Sequence, residues 1–236
     1  VALVEVREAV AAVVVCPVEA EHTRGIASAT SDSAGVCKAL VVVAAKRGSG
    51  KTVAVASKLK HLKDQNLADR IFLITPTFIS NSEMWKGLID ENDVYTAMDN
   101  TSIESIIEEV NQEAQEWEAY VYAMKLYETL QKYLKSKKSI DSIPPKFLLD
   151  CFEAGIFDIE TENIEKPVSK YGHLPILHLV LDDCQSSKLF VSSTGNKFLN
   201  LCIRHRHIGA MKSLGQALGI SIWNLVQNYS AQTGIP

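Results

Sequence analysis

No hydrophobic run in this chain is long enough to cross a bilayer. The longest unbroken apolar stretch, residues 9–16, falls far short of the roughly 20 residues a spanning helix needs. Positive charge is in deficit too: 24 Lys and Arg against 28 Asp and Glu leave a formal net charge of −4. The surface as a whole therefore does not attract nucleic acid, and any such contact has to come from a local patch. The five cysteines, Cys16, Cys37, Cys151, Cys184 and Cys202, are odd in number and form no CxxC pair. That excludes a disulfide frame or a zinc module of the usual spacing and points to reduced thiols in a cytosol-like compartment. The opening "VALVEVREAVAAVVVCP" imitates the apolar part of a secretory signal, but Glu5 and Glu8 stand where such a signal wants positive charge. Internal repeats and low-complexity tracts are absent.

What is there reads as globular. Hydrophobic residues make up 47% and charged residues 22% of 236, enough for one good core or one domain with an insertion. Residues 1–35, rich in Ala and Val and then polar at "TSDSAG", read as an extension of strand or helix plus linker. From Cys37 onward a regular alternation begins. Residues 39–44 are continuously apolar around three valines, the mark of a strand covered on both faces. After a glycine turn, residues 53–63 suit a helix, and "RIFLITPT" (70–77) is a second buried strand stopped by Pro76. Strand, turn, helix, strand is a βαβ unit and calls for a parallel sheet. Ile103, Ile107, Val110, Ala114, Trp117, Val121 and Met124 recur at three- and four-residue steps, a stripe on a long helix. The stripe predicts a core face or a helical hairpin inserted at about 100–140; a partner-binding coiled coil is disfavoured because the pattern lapses at Glu128. "SIDSIPPKF" ends the helix with two prolines, residues 150–172 read as loop and short helix, and "HLPILHLVLDDC" and "GISIWNLVQNY" return to strand. The chain opens on Val and stops at "TGIP", so it is expected to be a piece of a longer protein, cut at its C-terminal side.

The glycine turn carries chemistry. "AKRGSGKT", residues 45–52, fits G-x-x-x-x-G-K-[ST] except that Ala45 replaces the first glycine. Gly48 and Gly50 let successive N–H groups of Lys46, Arg47, Gly48, Ser49 and Gly50 point inward as an anion nest. The helix starting near Lys51 adds its positive end. Lys51 is placed to reach the β- and γ-phosphates of ATP, and Thr52 to ligate Mg²⁺. The plain alternative is a glycine turn with an accidental Lys-Thr.

Such a loop needs an acid at the end of another buried strand. "ILHLVLDD" supplies Asp182, expected to hold Mg²⁺ through its water shell, and Asp183, expected to polarise the attacking water. The alternative is a surface turn whose aspartates cap a helix. His178, inside the strand, reads as a satisfied core histidine rather than a catalyst.

A third cluster narrows the class. "FLNLCIRHRHIG" is followed by "GISIWNLVQNYSAQTGIP". With "KRGSGKT", the "ITPT" strand end, "LVLDDC" and a strand ending in Gln227, residues 37–236 resemble the DNA-packaging ATPases of large eukaryotic DNA viruses and their smaller relatives, a branch of the FtsK–HerA-type motors. The resemblance implies an α/β P-loop NTPase fold of the RecA/FtsK-like kind over residues 36–236, a three-layer sandwich around a mostly parallel sheet. It implies Gln227 as a sensor of the γ-phosphate or lytic water. It also implies a trans-acting arginine finger ahead of that strand, with Arg204 preferred over Arg206. Further implied are a homo-oligomeric ring, hexameric by preference, double-stranded DNA in its channel, and capsid proteins as further partners. The setting implied is the host cytoplasm or viral factory, with virion association compatible and secretion not.

Three departures stand out. Ala45 is not Gly; "AMKSLGQALG" lengthens the link to the Gln strand; and the basic residue and Asn expected soon after "GIP" lie beyond Pro236. Two other functions stay open. "AKRGSGKT" also fits the helicase form A-x-x-G-x-G-K-T, and "DDCQ" is similar to the helicase acidic box. The aspartate where a glutamate is common, at 183, suits a nucleotide-binding assembly scaffold with little hydrolysis. Cys202, His205 and His207 suggest a metal only weakly, lacking a fourth ligand.

Overall fold

The structure, a computed structural model, describes residues 38–136, 143–158, 163–185, 187–191 and 195–227, together with the backbone course of 2–5 and 12–15. In chain order the strands and helices are β1 (Ala2–Glu5), β2 (Ala12–Val15), β3 (Leu40–Ala44), α1 (Lys51–Asp64), β4 (Arg70–Ile74), α2 (Phe78–Trp85), β5 (Val94–Tyr95) and α3 (Asn100–Lys135). They continue as α4 (Pro145–Glu153), β6 (Phe157–Asp158), β7 (Asn163–Ile164), β8 (Leu177–Asp182), α5 (Lys197–Arg204), β9 (Ala210–Met211), β10 (Gln216–Ala217) and β11 (Ser221–Val226). The chain is α/β. Its main sheet runs β1-β2-β3-β11-β8-β4-β5. The five strands from β3 to β5 are all parallel, and β2 and β1 add an antiparallel edge.

The apolar runs make these strands, and the pleat sorts their side chains. Val41, Val43, Ile71, Leu73, Val180 and Leu225 point to one face and bury Val55, Ala56 and Leu59 of α1 with Trp85 at the end of α2. The alternate residues Phe72, Ile74, Leu177, Leu179, Leu181 and Ile222 point to the other and pack on Ile103, Ile106 and Val110 of α3 and Phe198, Leu201 and Cys202 of α5. Each such side chain removed from water contributes about 1.5–3 kcal/mol, and Leu179→Ala in mid-sheet is the kind of change that costs about 2–5 kcal/mol. A parallel sheet covered on both faces explains why these strands read as unbroken hydrophobic runs.

The long helix does two jobs. Its N-terminus is capped by Asp99, whose carboxylate accepts from the Thr101 and Ser102 amides. Of the segment 100–140 expected as an insertion, the first part belongs to the sheet core. At Glu109 and Glu113 the helix meets Arg70, the first residue of β4, so it has reached the edge where the parallel strands begin. With 36 residues at about 1.5 Å each, the rest projects past that edge. There Ala123, Leu126 and Leu130 form a separate small core with Ile143, Cys151 of α4 and Ile156. The stripe does not stop at Glu128; it passes from Ile103–Ala114 to this second set, with Trp117 and Val121 half-buried between and Met124 half-buried beside Ala123. Pro145 stands at the start of α4, where a missing N–H is no loss. Among the described residues no helix is long and apolar enough to cross a membrane.

Of the extension 1–35, the two strands β1 and β2 join the sheet; the polar stretch after them, and residues 228–236 with "GIP", lie outside the described residues.

Candidate functional site

Parallel strands present all their C-terminal ends on one edge, and the sequence-chosen loop leaves β3 at that edge. Gly48 and Gly50 take φ of 76° and 79°, the left-handed region that an L side chain rarely adopts. Ala45 has no positive φ and is buried, its N–H donating to Val226 O at 3.0 Å. The first position of the loop therefore continues the strand, and alanine fits without strain. Gly50 caps α1 without a side-chain bond, and the first turn of the helix holds no acidic residue. Its amino-terminal N–H groups and partial positive charge are left to an anion.

Strand order brings the acids to the loop. β11, last in the chain, lies between β3 and β8, with Leu225 in register with Val43 on one side and Asp182 on the other. Thr52 Oγ1 donates to Asp182 Oδ1 at 3.1 Å. Asp182 is buried, and burial raises its carboxyl pKa above the usual value, opposed by the Thr52 bond and the Lys51 charge. Asp183 is exposed and adopts φ 58°, and Gln227 Nε2 donates to its Oδ1 at 2.9 Å. Left-handed backbone is tolerated by Asp and Asn better than by longer side chains, which accounts for aspartate at this position. Cys184 follows with its thiol bonded to the carbonyls of Ile74 and Asp182, both at 3.3 Å. Burial, then the charges of Asp182 and Asp183, push the thiol up to about 12, which favours its protonated form.

Lys51, Thr52, Asp182, Asp183 and Gln227 thus share one edge with the 45–50 loop. Arg204 does not. It ends α5, and the next residue, His205, accepts from Ile220 N at 2.8 Å just before β11 begins. Six residues of strand, about 20 Å, separate it from Gln227. Arg204 and Arg206 therefore sit at the opposite rim and do not reach the 45–50 loop of their own chain. His205 is buried with Nδ1 against Cys202 O at 2.8 Å. Cys202, His205 and His207 form no metal-holding group, and no cluster of three such ligands occurs among the described residues. "AMKSLGQALG" forms the β9–β10 ribbon, tied to α3 by Ser213 N donating to Glu118 Oε1 at 2.6 Å.

At the same opposite rim lies a polar cavity of about 420 Å³. Its centre is Arg70, bonded through Nε and Nη2 to Asp93 and through Nη1 to Glu109 and Glu113; Lys170 Nζ reaches the same Glu113 at 2.7 Å. Burial works against the Arg70 charge, but Asp93 and Glu109 more than offset it, so its pKa rises. The network is satisfied internally and joins β4, α3 and the 170–171 loop. No periodicity or motif signals it, because its members come from separate elements. His178, as expected of a core histidine, is held at both nitrogens, Nδ1 accepting from Trp223 Nε1 at 3.0 Å and Nε2 facing Leu67 O at 3.1 Å.

Comparison with protein-family profiles, curated proteins and solved structures finds no match to this chain.

Proposed function

We propose that the chain is an ATP-hydrolysing motor that moves double-stranded DNA, packaging a viral genome into its capsid. The observation that carries the ATPase part is the pair of contacts Thr52–Asp182 and Gln227–Asp183 at the mouth of an uncapped helix. An uncapped N-terminus behind two left-handed glycines suits a polyphosphate. Lys51 and the amides of Lys46 to Thr52 would hold it. Thr52 and Asp182 present oxygens of the kind Mg²⁺ prefers, and the ion, when bound, supplies charge neutralisation across the β- and γ-phosphates. Asp183 accepts the proton of the attacking water, and Gln227 holds that carboxylate in place while its own oxygen remains for the water.

The DNA-moving part rests on the resemblance to packaging ATPases. Strand order supports it: β11, the parallel strand between the loop strand and the acid strand, is followed at once by Gln227, in the place of the glutamine those motors use. Arg204, remote from its own loop, suits a finger offered to a neighbouring subunit, where its planar fork stabilises charge on the phosphoryl oxygens. The reading therefore includes a homo-oligomeric ring, hexameric by preference, acting in the host cytoplasm or viral factory.

The helicase reading keeps one favouring observation, the unstrained alanine at the head of the loop. Linear duplex and a forked duplex separate the two. The packaging motor hydrolyses ATP faster with intact linear duplex and leaves the fork paired; ATP-dependent strand release from the fork would assign the chain to the helicases.

A further inference from the structure

The strand end "ITPT" has no role in the reading above, although β4 delivers it to the same edge. Ile74 is in register with Leu181, so the next residues, Thr75 and Asp182, stand side by side on neighbouring strands. Both fall on the face that carries α1, because Ile74 and Leu181 point the other way. Both are buried. The Cys184 thiol bonded to Ile74 O holds the turn after β8 against the end of β4.

Thr75 and Thr77 then form a short hydroxyl chain. Thr75 Oγ1 accepts from Thr77 N at 3.3 Å and lies 3.2 Å from Thr77 Oγ1, which itself accepts from Asn81 Nδ2 at 3.3 Å. Two hydroxyls share one bond, so one of their two protons is left over whichever donates. When Thr77 Oγ1 is the donor, the turn uses Thr75 only as an acceptor and the spare proton is on Thr75. A buried hydroxyl proton without a protein acceptor, beside a buried carboxylate, is placed for a water.

We propose that Thr75 is a positioning residue for the metal's water shell: with Asp182 it holds one water of the Mg²⁺ that Thr52 binds. The inference rests on the Mg²⁺–ATP reading. Loss of the hydroxyl weakens retention of the metal rather than of the nucleotide.

The test is the Mg²⁺ dependence of the full chain read in two ways: the Mg²⁺ concentration at which ATP binding, followed by calorimetry, reaches half of its Mg²⁺-dependent tightening, and the Mg²⁺ concentration giving half-maximal hydrolysis with ATP saturating. Thr75→Val keeps the shape and removes the hydroxyl; one lost hydrogen bond corresponds to a rise of roughly three- to tenfold. Thr75→Ser restores the hydroxyl and is expected within about twofold of the wild type on the same scale. If Thr75→Val does not fold, Thr77→Val, at a half-buried position, is expected to shift the Mg²⁺ requirement in the same direction through the shared bond. An unchanged Mg²⁺ requirement in a folded Thr75→Val or Thr77→Val protein overturns the inference, as does Thr75→Ser behaving like Thr75→Val. A wild type that neither binds nor hydrolyses Mg²⁺–ATP overturns the reading beneath it instead.

Discussion

Gln227 Nε2 reaches Asp183 Oδ1 at 2.9 Å and so joins the residue just after β11 to the turn after β8. The two residues directly follow neighbouring strands of a parallel sheet, and the glycine loop follows the strand beyond. A carboxylate held by an amide at the edge of an anion nest suits activation of a water.

Asp183→Asn is therefore expected to abolish turnover while nucleotide stays bound. Asparagine adopts φ near 58° at least as readily as aspartate, so the melting temperature should hardly move. Trapped ATP measured after gel filtration, beside a rate assay, checks this. Unchanged turnover removes Asp183 from the mechanism.

Arg204 lies at the rim away from its own loop, so in the proposed ring its effect on hydrolysis crosses a subunit boundary. Arg204→Ala subunits mixed with wild type are expected to depress ATPase activity more than in proportion to their share. A strictly proportional loss contradicts action in trans.

The burial of His178 lowers its pKa from 6.5, opposed by the bond to Leu67. The unfolded chain thus takes up the proton first as pH falls, and stability is lost as pH drops through 6.5 toward the folded value. Urea midpoints at about pH 8 and 5.5 should show this loss in the wild type and less of it in His178→Gln. Equal pH dependence in both proteins contradicts the assignment. Asp182, raised by burial, carries the opposite sign and is common to both.

Glu113 is buried and takes Arg70 and Lys170 together. Glu113→Ala removes the shared acceptor of Arg70 and Lys170, but Arg70 keeps Asp93 and Glu109 and Lys170 reaches solvent, so the expected cost is about 1–3 kcal/mol. Mg²⁺–ATP affinity should be unaffected, because the network stands at the opposite rim. Urea unfolding with a parallel nucleotide titration reads both.

The buried parallel strands were legible because covering both faces makes each an unbroken apolar run: Val41–Val43, Phe72–Ile74 and Leu179–Leu181 need no partner to be recognised. The loop and Asp182 were legible from spacing, since residues 45–52 must be local to make a nest. Strand order was not, because β11 enters between β3 and β8 by pairing across most of the chain. The Gln227–Asp183 contact follows from that order. The two-part fate of α3 was hidden for a different reason: its stripe changes partners after Ala114 without a break in helical pattern. β5, two residues long, and the β6–β7 pair carry no periodicity to find.

Lys51, Thr52, Asp182, Asp183 and Gln227 are proposed to build one Mg²⁺–ATP pocket, and calorimetric titration of ATP with and without Mg²⁺ puts that pocket to the test. Saturable binding of one ATP per chain that tightens with Mg²⁺ is expected, with a loss of about tenfold, ~1.4 kcal/mol, in Lys51→Ala. Wild-type protein that takes up no ATP, or Lys51→Ala that binds it equally well, contradicts that pocket.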